Sequence, residues 1–547
     1  MIYLFQNEVT FNEDMGSQVY LDYLYNFDPL KDFFELSPWQ ESSFEKQAKK
    51  LQEREANRRT FRNQLTLGLH NYHKKFTDNP KVYNTIELLN DPETMTVVTG
   101  QQPGIMTGPL FAIYKIITAI KLSKKLSKNL DANVIPIFWI CSDDHDFQEV
   151  NWLKTVDHKG EQLLYEIHDD KEGFSIGDRD IKHKSQDLLD KLAQQLQDSP
   201  YYDKWMTLFS KTLEQSKTLA DWTAAIILEL FGNEGVLVID PMKPVFRQLS
   251  KPIFSKALDL GEGLHNSIDS QTEKLNNRGY SGQVDLRVNH SGLFYYYQGI
   301  RSPLTVEGDQ FLLANLGIEK SKEDLVRELE SDPAKFSPNV TLWPVLQDFL
   351  LPSLAYVAGP GEISYFAQLK QIYEQFEIGM PVIYPRESYL LLESDVKSIL
   401  EKYQIGPENI FYDWPTTRKR VFRELAPINT EKVLNDTCRT IKEEHEKFIQ
   451  ELSRLDEKIY DFEEKNFHLI YRQLYYLKEK GDQYFRRQQL QAQRDLDYSK
   501  IKIYPLDKLQ EREYNIGEFL CKYDSSVLKK LLKTPLNPQK ISVVDLE

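Results

Sequence analysis

The stretch from Thr96 to Trp152 limits the possible folds more than any other part of the chain. It contains an apolar segment (TVVT, 96–99), a turn with three glycines (GQQPGIMTGP, 100–109), a helical segment (Leu110 to about Lys128) and a second apolar segment (VIPIFWI, 134–140). This order predicts a strand–helix–strand unit, and its right-handed crossover makes the two strands parallel. Ligands of such sheets lie beyond the carboxyl ends of the strands. The sequence therefore predicts a ligand edge at the glycine turn and at the acidic cluster CSDDHDFQEVNW (141–152).

Later segments extend this unit to an α/β fold with a parallel sheet. GVLVIDP (235–241), SLAYVA (353–358) and PVIYP (381–385) are short and apolar on both faces, as buried parallel strands are. SLAYVA leads through a Gly-Pro-Gly turn into a helix and so repeats the first unit. We expect an α/β core over residues 91–390, a helical segment (1–90) packed on it, and insertions at about 153–204 and 259–336. The second insertion alternates like a strand at 279–304, which predicts an antiparallel patch.

Beyond residue 390 the sequence becomes charged and helical. From Leu434 to Phe462 apolar residues recur at alternating spacings of four and three, which is the 3.5-residue period of a left-handed coiled coil. We predict a helical coiled-coil domain over 391–500, with one helix from 434 to 480 that is about 70 Å long and ends at Gly481. Such a helix must pair with a returning helix or with another subunit. The segment 501–547 is again apolar and aromatic, so we expect it to fold back toward the core.

Length and charge limit the functional classes. A chain of 547 residues exceeds one hydrophobic core, so we expect roughly two to four domains. The net charge of −15 argues against nucleic acid or an anionic membrane as a partner. Cys141, Cys438 and Cys521 match neither a disulfide framework nor a CxxC metal pattern, which favours a reducing cytoplasm. We expect neither a signal peptide nor a membrane span, because no apolar run approaches roughly 20 residues.

The glycine turn offers two interpretations. Glycines after a strand let backbone N–H groups approach an anion, which predicts a phosphate or carboxylate site. The turn matches neither GxGxxG nor a Walker loop, so a purely structural turn is the alternative. Its adjacent glutamines offer uncharged donors and acceptors to a polar ligand and favour binding. The predicted ligand-binding residues here are Thr99, Gln101, Gln102 and Gly104.

The acidic cluster is the strongest candidate for chemistry. Titratable residues in succession repel one another unless they are solvated or face a cation, and such crowding separates their pKa values as general acid–base catalysis requires. The alternative is that two carboxylates cap the next helix and the others are solvated. A metal site is a further alternative, but no HExxH motif or cysteine pair accompanies the cluster, which argues against zinc, and no residue is predicted to bind a metal. The predicted catalytic residues are Asp143, Asp144, His145 and Asp146, and Glu149 and Asn151 are predicted to bind substrate.

The Gly-Pro-Gly-Glu sequence at 359–362 is a second candidate ligand edge. Its alternative is a helix start with Glu362 near the positive end of the helix dipole. Single polar residues beside apolar segments are further candidates, although each alone is more often structural. The predicted substrate-binding residues of these two groups are Gly359, Gly361, Glu362, Tyr365, Gln368, Asp240, Gln283, Asn339 and Gln347.

Several sequence blocks together resemble the BshC family, the cysteine-adding enzymes of bacillithiol biosynthesis. In family order they are TGQQPGIMTGPLFAIYKIITAIKLS, FWICSDDHDFQEVN, GVLVIDP, SPNVTLWPVLQDFLLPSLAYVAGPGEISYFAQLK, MPVIYPRES and YPLDKLQERE. The resemblance implies a Rossmann-like core related to nucleotidyltransferases and class I aminoacyl-tRNA synthetases, with two insertions and a coiled coil that forms a homodimer. It also implies a ligase that joins cysteine to glucosaminyl-malate to give bacillithiol.

The resemblance associates the YPLDKLQERE block with an adenine-nucleotide pocket that is separate from the Rossmann cleft. It thereby implies ATP or ADP as a cofactor, and Mg²⁺ is the metal compatible with ATP use. The nucleotide-binding residues that it implies are Tyr504, Lys508, Gln510 and Arg512.

Two positions depart from the family pattern. Trp343 stands where the family has an arginine before a proline, and Ser281 stands where it has a histidine. If that arginine holds an anionic substrate group, the contact is absent here or is supplied by another arginine. The candidates are Arg287, Arg301 and Arg386, and Arg386 is also predicted to bind substrate.

The implied reaction suits the acidic cluster. Amide formation needs an activated carboxylate, most simply an acyl-adenylate, and an amine that loses a proton. Asp144, His145 or Asp146 would orient the amine and take that proton. No lysine loop of the KMSKS type is evident, so ATP use is a hypothesis. The alternatives are a nucleotidyltransferase-like enzyme that acts on another small acid, and a coiled-coil scaffold whose core senses a metabolite.

Overall fold

The computed structural model describes residues 8–157, 160–284, 289–308, 310–425 and 428–547. These residues form two compact units. One unit contains Leu392–Asp507, and the other contains the described chain up to Leu391 together with Lys508–Glu547. The last segment of the chain therefore belongs to the same unit as the residues that precede 392.

The strands and helices are numbered in chain order. The strands are β1 (Glu8–Thr10), β2 (Met95–Gln101), β3 (Val134–Ile140), β4 (Trp152–Val156), β5 (Gln162–Glu166), β6 (Leu237–Ile239), β7 (His290–Tyr297), β8 (Ile300–Glu307), β9 (Gln310–Leu313), β10 (Ile318–Ser321), β11 (Phe336–Pro338), β12 (Ser353–Ala358), β13 (Val382–Pro385), β14 (Ser388–Glu393) and β15 (Lys540–Leu546). The helices are α1 (Gln18–Tyr25), α2 (Glu41–Glu55), α3 (Arg59–His73), α4 (Pro80–Leu88), α5 (Leu110–Leu130), α6 (Lys182–Leu196), α7 (Tyr202–Glu214), α8 (Leu219–Phe231), α9 (Pro244–Leu260), α10 (Gly263–Asn276), α11 (Lys322–Ser331), α12 (Trp343–Leu350), α13 (Pro360–Phe366), α14 (Lys370–Phe376), α15 (Ser394–Tyr403), α16 (Pro407–Tyr412), α17 (Trp414–Leu425), α18 (Thr430–Ser453), α19 (Glu463–Ile503), α20 (Gln510–Glu513), α21 (Ile516–Tyr523) and α22 (Ser526–Lys533).

A five-stranded parallel sheet lies at the centre of the larger unit, in the order β13-β12-β2-β3-β6. The predicted strands and the parallel pairing of β2 with β3 are confirmed. All residues of β3 and β12 are buried, which explains why their sequences are apolar on both faces. Successive strands run from β2 outward to β6, and the chain then returns to β12 on the other side of β2. Ligands of open parallel sheets bind at such a reversal of strand order.

Helix α5 forms the crossover from β2 to β3. It begins after Pro109 and ends where Asp131 adopts the left-handed conformation, with φ of 49°. Its side chains pack with those of α2 against one face of the sheet, in an apolar cluster that contains Phe44, Leu51 and Leu122. Lys115 is an exception, because it lies within this buried helix with its side chain only 2% exposed.

The glycine turn is shorter and more compact than the sequence predicts. Strand β2 continues to Gln101, so the first glycine of the turn lies within the strand. The rest of the turn folds on itself: a Cβ atom at Gly104 would lie 2.7 Å from the Cα atom of Gly108. The side-chain amide of Asn515 donates hydrogen bonds to the carbonyl oxygens of Met106 (2.9 Å) and Gly108 (2.6 Å). The carbonyl groups at the end of the turn are therefore capped by the C-terminal segment.

Both insertions contain antiparallel strands. The first contains the hairpin β4–β5 and helix α6. The second contains a five-stranded sheet in the order β10-β9-β8-β7-β11, which confirms the predicted antiparallel patch. A third sheet, in the order β1-β15-β14, includes the antiparallel pairing of the first described strand with the last.

The prediction of one continuous helix over 434–480 is wrong. The chain forms α18, reverses direction through a 3₁₀ segment at Glu457–Phe462, and returns as α19. Contacts between Thr430 and Asp482 (2.8 Å) and between His445 and Asn466 (3.0 Å) show that the two helices are antiparallel neighbours. The predicted returning helix is thus present within the same chain. Gly481 lies inside α19 and does not end it.

None of the helices in the described parts of the chain is both long enough and apolar enough to cross a membrane.

We predict that Asn515→Ala destabilises the larger unit. The substitution leaves the buried carbonyl groups of the glycine turn without a donor, which costs about 2–3 kcal/mol in total. Urea unfolding followed by circular dichroism measures the loss. Asn515→Asp is the matched variant, because it keeps the oxygen that accepts from the Gly517 N–H, whereas it replaces the donor with a charged acceptor that the carbonyl oxygens of the turn repel. Equal stability of wild type and both variants would contradict this account of the turn.

Candidate active site

A cleft of about 740 Å³ opens at the carboxyl ends of β2, β3 and β12. The segments that follow residues 99, 140 and 358 all line it, as the sequence predicts. The second insertion forms its other side through β7, β8 and the segment after β11. All of these residues belong to the larger unit. The cleft thus occupies the position at which parallel sheets bind ligands.

The structure brings about half of the predicted site residues to this cleft. Those that line it are Gln101, Gln102, Asp143, Asp144, His145, Glu149, Asn339, Gly359, Gly361, Glu362, Tyr365, Arg386 and Arg512. Those that do not line it are Thr99, Gly104, Asp146, Asn151, Asp240, Gln283, Gln347, Gln368, Tyr504, Lys508 and Gln510. Arg287 lies outside the described residues.

Most residues of the second group are occupied by structural hydrogen bonds. Thr99 donates its hydroxyl to the Val357 carbonyl (2.9 Å) and so joins β2 to β12. Asp240 is fully buried and pairs with Lys243 (2.8 Å). Further donors of this kind are the side chains of Asn151 (to Ile167), Gln347 (to Asp348), Gln368 (to Thr272 and Val284), Lys508 (to Glu513) and Gln510 (to Leu391). Gln283 donates only its backbone N–H, to Gln368 (2.8 Å). Tyr504 belongs to the helical unit, where its ring contacts Phe411.

A buried lysine joins the end of strand β2 to the start of helix α13 at the cleft. Lys115 Nζ donates to the Gly100 carbonyl (2.7 Å) and to Gln101 Oε1 (3.0 Å), and it forms an ion pair with Glu362 Oε2 (2.5 Å). Glu362 also accepts from the Gly359 N–H (2.7 Å) and from Tyr356 Oη (2.6 Å). The Lys115–Glu362 pair therefore fixes the end of β2 against the start of α13. The sequence analysis missed Lys115, although a single lysine inside the apolar stretch LFAIYKIITAI was the available signal.

The prediction of a catalytic role for Asp143 conflicts with its surroundings. Asp143 is buried, and its carboxylate forms an ion pair with the buried Arg247 and accepts from Tyr296 Oη (3.0 Å). Its backbone carbonyl accepts from Ser175 Oγ (2.8 Å), which also contacts Tyr296 Oη (2.6 Å). A carboxylate paired in this way holds the residues around it in place. Arg247 is a second residue that the sequence analysis missed.

Asp144 presents a partly exposed carboxylate to the cleft. Gln102 Nε2 donates to Asp144 Oδ2 (2.8 Å) and to Glu149 Oε2 (2.7 Å), so that one amide holds two carboxylates. The side chain of Asp144 is 35% exposed. Among the described residues, His145 is the one basic side chain within ion-pair distance of Asp144, and none lies within that distance of Glu149. These two carboxylates, which we call the acid pair, can therefore accept a hydrogen bond from a cationic or amine group of a ligand.

His145 is neutral and points one nitrogen at an arginine. Its Nδ1 atom lies 3.1 Å from Arg301 Nη1, and because a guanidinium only donates, Nδ1 is an acceptor and Nε2 carries the proton. Partial burial and the neighbouring Arg301 charge lower the pKa of His145 below its ordinary value. His145 can therefore donate to a ligand through Nε2, whereas its basic nitrogen is occupied.

Two arginines give the cleft positive charge. Arg301 is buried, its guanidinium lies 3.7 Å from the centre of the Phe294 ring, and no ion pair of the described residues joins it to a carboxylate. Arg512 is exposed at the cleft and likewise has no carboxylate within ion-pair distance among the described residues. Arg386, in contrast, is paired with the buried Glu511. Arg301 and Arg512 are thus available to anionic ligand groups.

Cys141 and Trp343 complete the lining. Burial raises the pKa of the Cys141 thiol, which keeps the thiol protonated and unreactive. Trp343 packs edge-on against Tyr356, with ring centres 5.7 Å apart, and gives the cleft an aromatic surface where the resemblance leads one to expect an arginine. Across the described residues, no group of three or more His, Cys, Asp or Glu side chains is placed to hold a metal ion.

Comparison with known proteins gives matches over nearly the whole chain. The family model described as the N-terminal Rossmann-like domain of the bacillithiol biosynthesis protein BshC matches residues 5–387, and the model of the C-terminal coiled-coil domain of BshC matches residues 389–546. Among curated proteins, one from Desulforamulus reducens is 31% identical over 93% of this chain and 94% of its own length. One from Carboxydothermus hydrogenoformans is 30% identical over 96% and 97%, and one from Bacillus licheniformis is 29% identical over 88% and 90%. All three carry the name "Putative cysteine ligase BshC".

We predict that substitutions at two neighbouring aspartates have different effects on stability. Asp143→Asn leaves the buried Arg247 without its counter-charge, and breaking a buried ion pair costs about 3–5 kcal/mol. Asp144→Asn changes a partly exposed carboxylate and should alter stability by no more than about 0.5 kcal/mol. Urea unfolding measures both changes. Asp198→Asn, at an exposed position, is the control. If Asp143→Asn is as stable as the control, its carboxylate is not the anchor described above.

Proposed function

The chain belongs to the BshC family, and from that premise we propose that it is a ligase that joins cysteine to glucosaminyl-malate through an amide bond, the last step of bacillithiol biosynthesis. The observation that carries the proposal is the separation of charge in the cleft. The acid pair Asp144 and Glu149 follows β3, whereas Arg301 comes from the second insertion and Arg512 from the C-terminal segment. Each proposed substrate carries an amine and at least one carboxylate, so each can contact both the acidic and the basic side chains of the cleft.

The acid pair suits the attacking amine. An amine that forms an amide must approach as a donor and then lose a proton, which requires an acceptor within hydrogen-bond distance. Asp144 is the best-placed acceptor, because Asp143 is paired with Arg247 and the basic nitrogen of His145 faces Arg301. In this proposal Asp144 orients the amine and takes its proton, and Glu149 adds negative charge beside it. Asp146 does not line the cleft and has no assigned role.

His145 suits the carbonyl end of the reaction. Its neutral ring presents Nε2–H while Nδ1 accepts from Arg301. A fixed N–H donor stabilises the negative charge that develops on a carbonyl oxygen under attack. Arg301 fixes the orientation of this ring and adds positive charge behind it.

The cleft has residues that fit part of a nucleotide. Arg512 would contact phosphate groups, and the aromatic rings of Phe111 and Trp343, which also line the cleft, would contact a base. The amide of Gln510, by contrast, is occupied by the backbone of Leu391 and does not fit a nucleotide contact. ATP would supply the leaving group that the cysteine carboxylate lacks.

The ligase proposal predicts bacillithiol formation by the purified protein. We expect a mixture of protein, cysteine, glucosaminyl-malate and ATP to yield a product with the mass of bacillithiol, and Asp144→Asn to reduce kcat by about 100-fold or more, in line with the usual contribution of a positioned acid or base. Liquid chromatography with mass spectrometry measures the product. Asp198→Asn serves as the control at an exposed aspartate.

Two results would count against this function. A metabolite-sensing scaffold would give no product with any protein, and Asp144→Asn would leave thiol production in cells unchanged. A nucleotidyltransferase acting on another acid would consume ATP without forming bacillithiol. Cysteine-dependent exchange of labelled pyrophosphate into ATP tests the activation step separately, and its absence in an enzyme that forms bacillithiol would exclude a cysteinyl-adenylate.

We further propose that the helical hairpin α18–α19 forms a homodimer. It exposes large apolar side chains, including Phe448, Leu455, Leu469 and Leu477, of which Leu455 is 81% exposed. Exposed apolar surface of this extent on a helical pair is typical of a protein interface.

The homodimer proposal predicts a species of twice the chain mass of 64.2 kDa in analytical ultracentrifugation. Phe448→Glu combined with Leu469→Glu places charges in the proposed interface and should give the mass of a single chain. Gln450→Glu, an exposed position on the same helix as Phe448, is the control and should remain dimeric. A monomeric wild-type protein would exclude the proposal.

A further inference from the structure

We propose that Arg301 and Asn339 form a carboxylate subsite in the cleft, and that this subsite holds a carboxylate of the malyl group of the acceptor. The identity of the acceptor rests on the proposed function. The subsite itself rests on two donors that the protein leaves unused.

Arg301 has N–H groups that its three hydrogen bonds within the protein do not use. Its Nε donates to Ser337 Oγ (3.0 Å), Nη2 to the Pro338 carbonyl (2.7 Å) and Nη1 to His145 Nδ1 (3.1 Å). A guanidinium has five N–H groups, so one N–H remains on each terminal nitrogen. Two terminal donors suffice for a two-point contact with the oxygens of a carboxylate. The centre of the Phe294 ring lies 3.7 Å from the guanidinium carbon and, with the three hydrogen bonds, restricts the orientation in which that contact forms.

Asn339 supplies an unpaired donor beside it. Its Oδ1 atom accepts from the Thr341 N–H (3.0 Å), the Thr341 hydroxyl (2.8 Å) and the Leu342 N–H (3.0 Å), and these donors fix which end of the amide is oxygen. Its Nδ2 atom is buried and has no hydrogen-bond partner. Asn339 is only 3% exposed, lines the cleft, and follows the proline whose carbonyl binds Arg301. A buried donor without a partner is costly, and a ligand oxygen would remove that cost.

No carboxylate of the described residues forms an ion pair with the Arg301 guanidinium. Of the acidic side chains of the cleft, Asp143 pairs with Arg247, Glu362 pairs with Lys115, and the acid pair accepts hydrogen bonds from the uncharged amide of Gln102. The imidazoles that face Arg301, His145 and His290, are both neutral, and burial together with the Arg301 charge lowers the pKa of His290 to about 4. The subsite therefore carries one positive charge and one neutral donor, which matches the single charge and planar oxygens of a carboxylate better than a phosphate dianion.

The unreacted carboxylates of the acceptor suit this subsite better than the carboxylate of cysteine. A carboxylate held by a two-point contact keeps both oxygens occupied, whereas the cysteine carboxylate must lose an oxygen during amide formation. The malyl group has carboxylates that do not react. Holding one of them would place the amine of the acceptor at a fixed distance from the subsite, within the same cleft as the acid pair.

Direct titration of the full-length protein tests the subsite without relying on catalysis. L-malate is the probe, isothermal titration calorimetry is the measurement, and inorganic phosphate is the second probe. We expect malate to bind to the wild type and its affinity to fall about tenfold or more in Arg301→Gln and in Asn339→Asp. Asn339→Asp keeps the Oδ1 acceptor, replaces the donor with an acceptor and adds a negative charge, and both changes oppose a bound carboxylate. Arg301→Lys checks that a charge without the planar fork does not restore full affinity.

Arg327→Gln is the matched control, because Arg327 belongs to the same insertion but is 77% exposed and pairs with Asp324. It should bind malate like the wild type. Thermal unfolding of each variant shows whether it is folded before it is titrated. Unchanged malate affinity in a folded Arg301→Gln variant would overturn the proposal, as would phosphate binding that exceeds malate binding and depends on Arg301.

Kinetics separate this inference from the proposed function. If the protein forms bacillithiol, Arg301→Gln should raise the KM for glucosaminyl-malate about tenfold or more and leave the KM for cysteine unchanged. An active enzyme in which both constants are unchanged would refute the subsite and leave the ligase function intact. Arg301-dependent malate binding by a protein that forms no bacillithiol would refute the function and leave the subsite intact.

Discussion

The ion pair between Asp143 and Arg247 is the interaction on which the cleft depends. Two buried charges are costly to desolvate, and hydrogen bonds to the pair offset part of that cost. Here the Tyr296 hydroxyl bonds to the carboxylate, and Ser175 bonds both to that hydroxyl and to the Asp143 carbonyl. Ser175 belongs to the first insertion and Tyr296 to the second, so one residue after β3 holds both insertions against the sheet. The positions of Asp144 and His145, which follow it directly, depend on this anchor.

The sequence predicts the central sheet well because its signal is local. The strands β3 and β12 lie where apolar residues occupy both faces, and nothing beyond the segment itself is needed to recognise them. The reversal between α18 and α19 has only a weak signal, because the alternation of apolar residues continues through the 3₁₀ segment at Glu457–Phe462 and slips by one residue only after Phe462, where α19 begins. A heptad pattern reports which face of a helix is apolar, but it does not report where the chain turns back. The returning helix could be predicted, and its starting point could not.

The candidate site shows the same division. The segments that line the cleft could be predicted, because they follow strands whose carboxyl ends share one edge. The roles within those segments could not, because they depend on partners that are distant in sequence. The sequence does not show that Arg247 pairs with Asp143, nor that Gln102 donates hydrogen bonds to both Asp144 and Glu149. Polarity predicts that a side chain needs a partner, and only the fold identifies that partner.

The two histidines of the cleft explain how its charge separation can persist near neutral pH. Burial and the charge of Arg301 lower the pKa of both His145 and His290 below the ordinary value. A lowered pKa means that an imidazole gains its proton only at a lower pH than usual, so both rings carry less positive charge near neutral pH than an ordinary histidine does. The positive charge on this side of the cleft therefore comes from Arg301, and the two imidazoles add little to it. A ligand group bound there contacts one guanidinium. A single positive charge of this kind favours a single carboxylate.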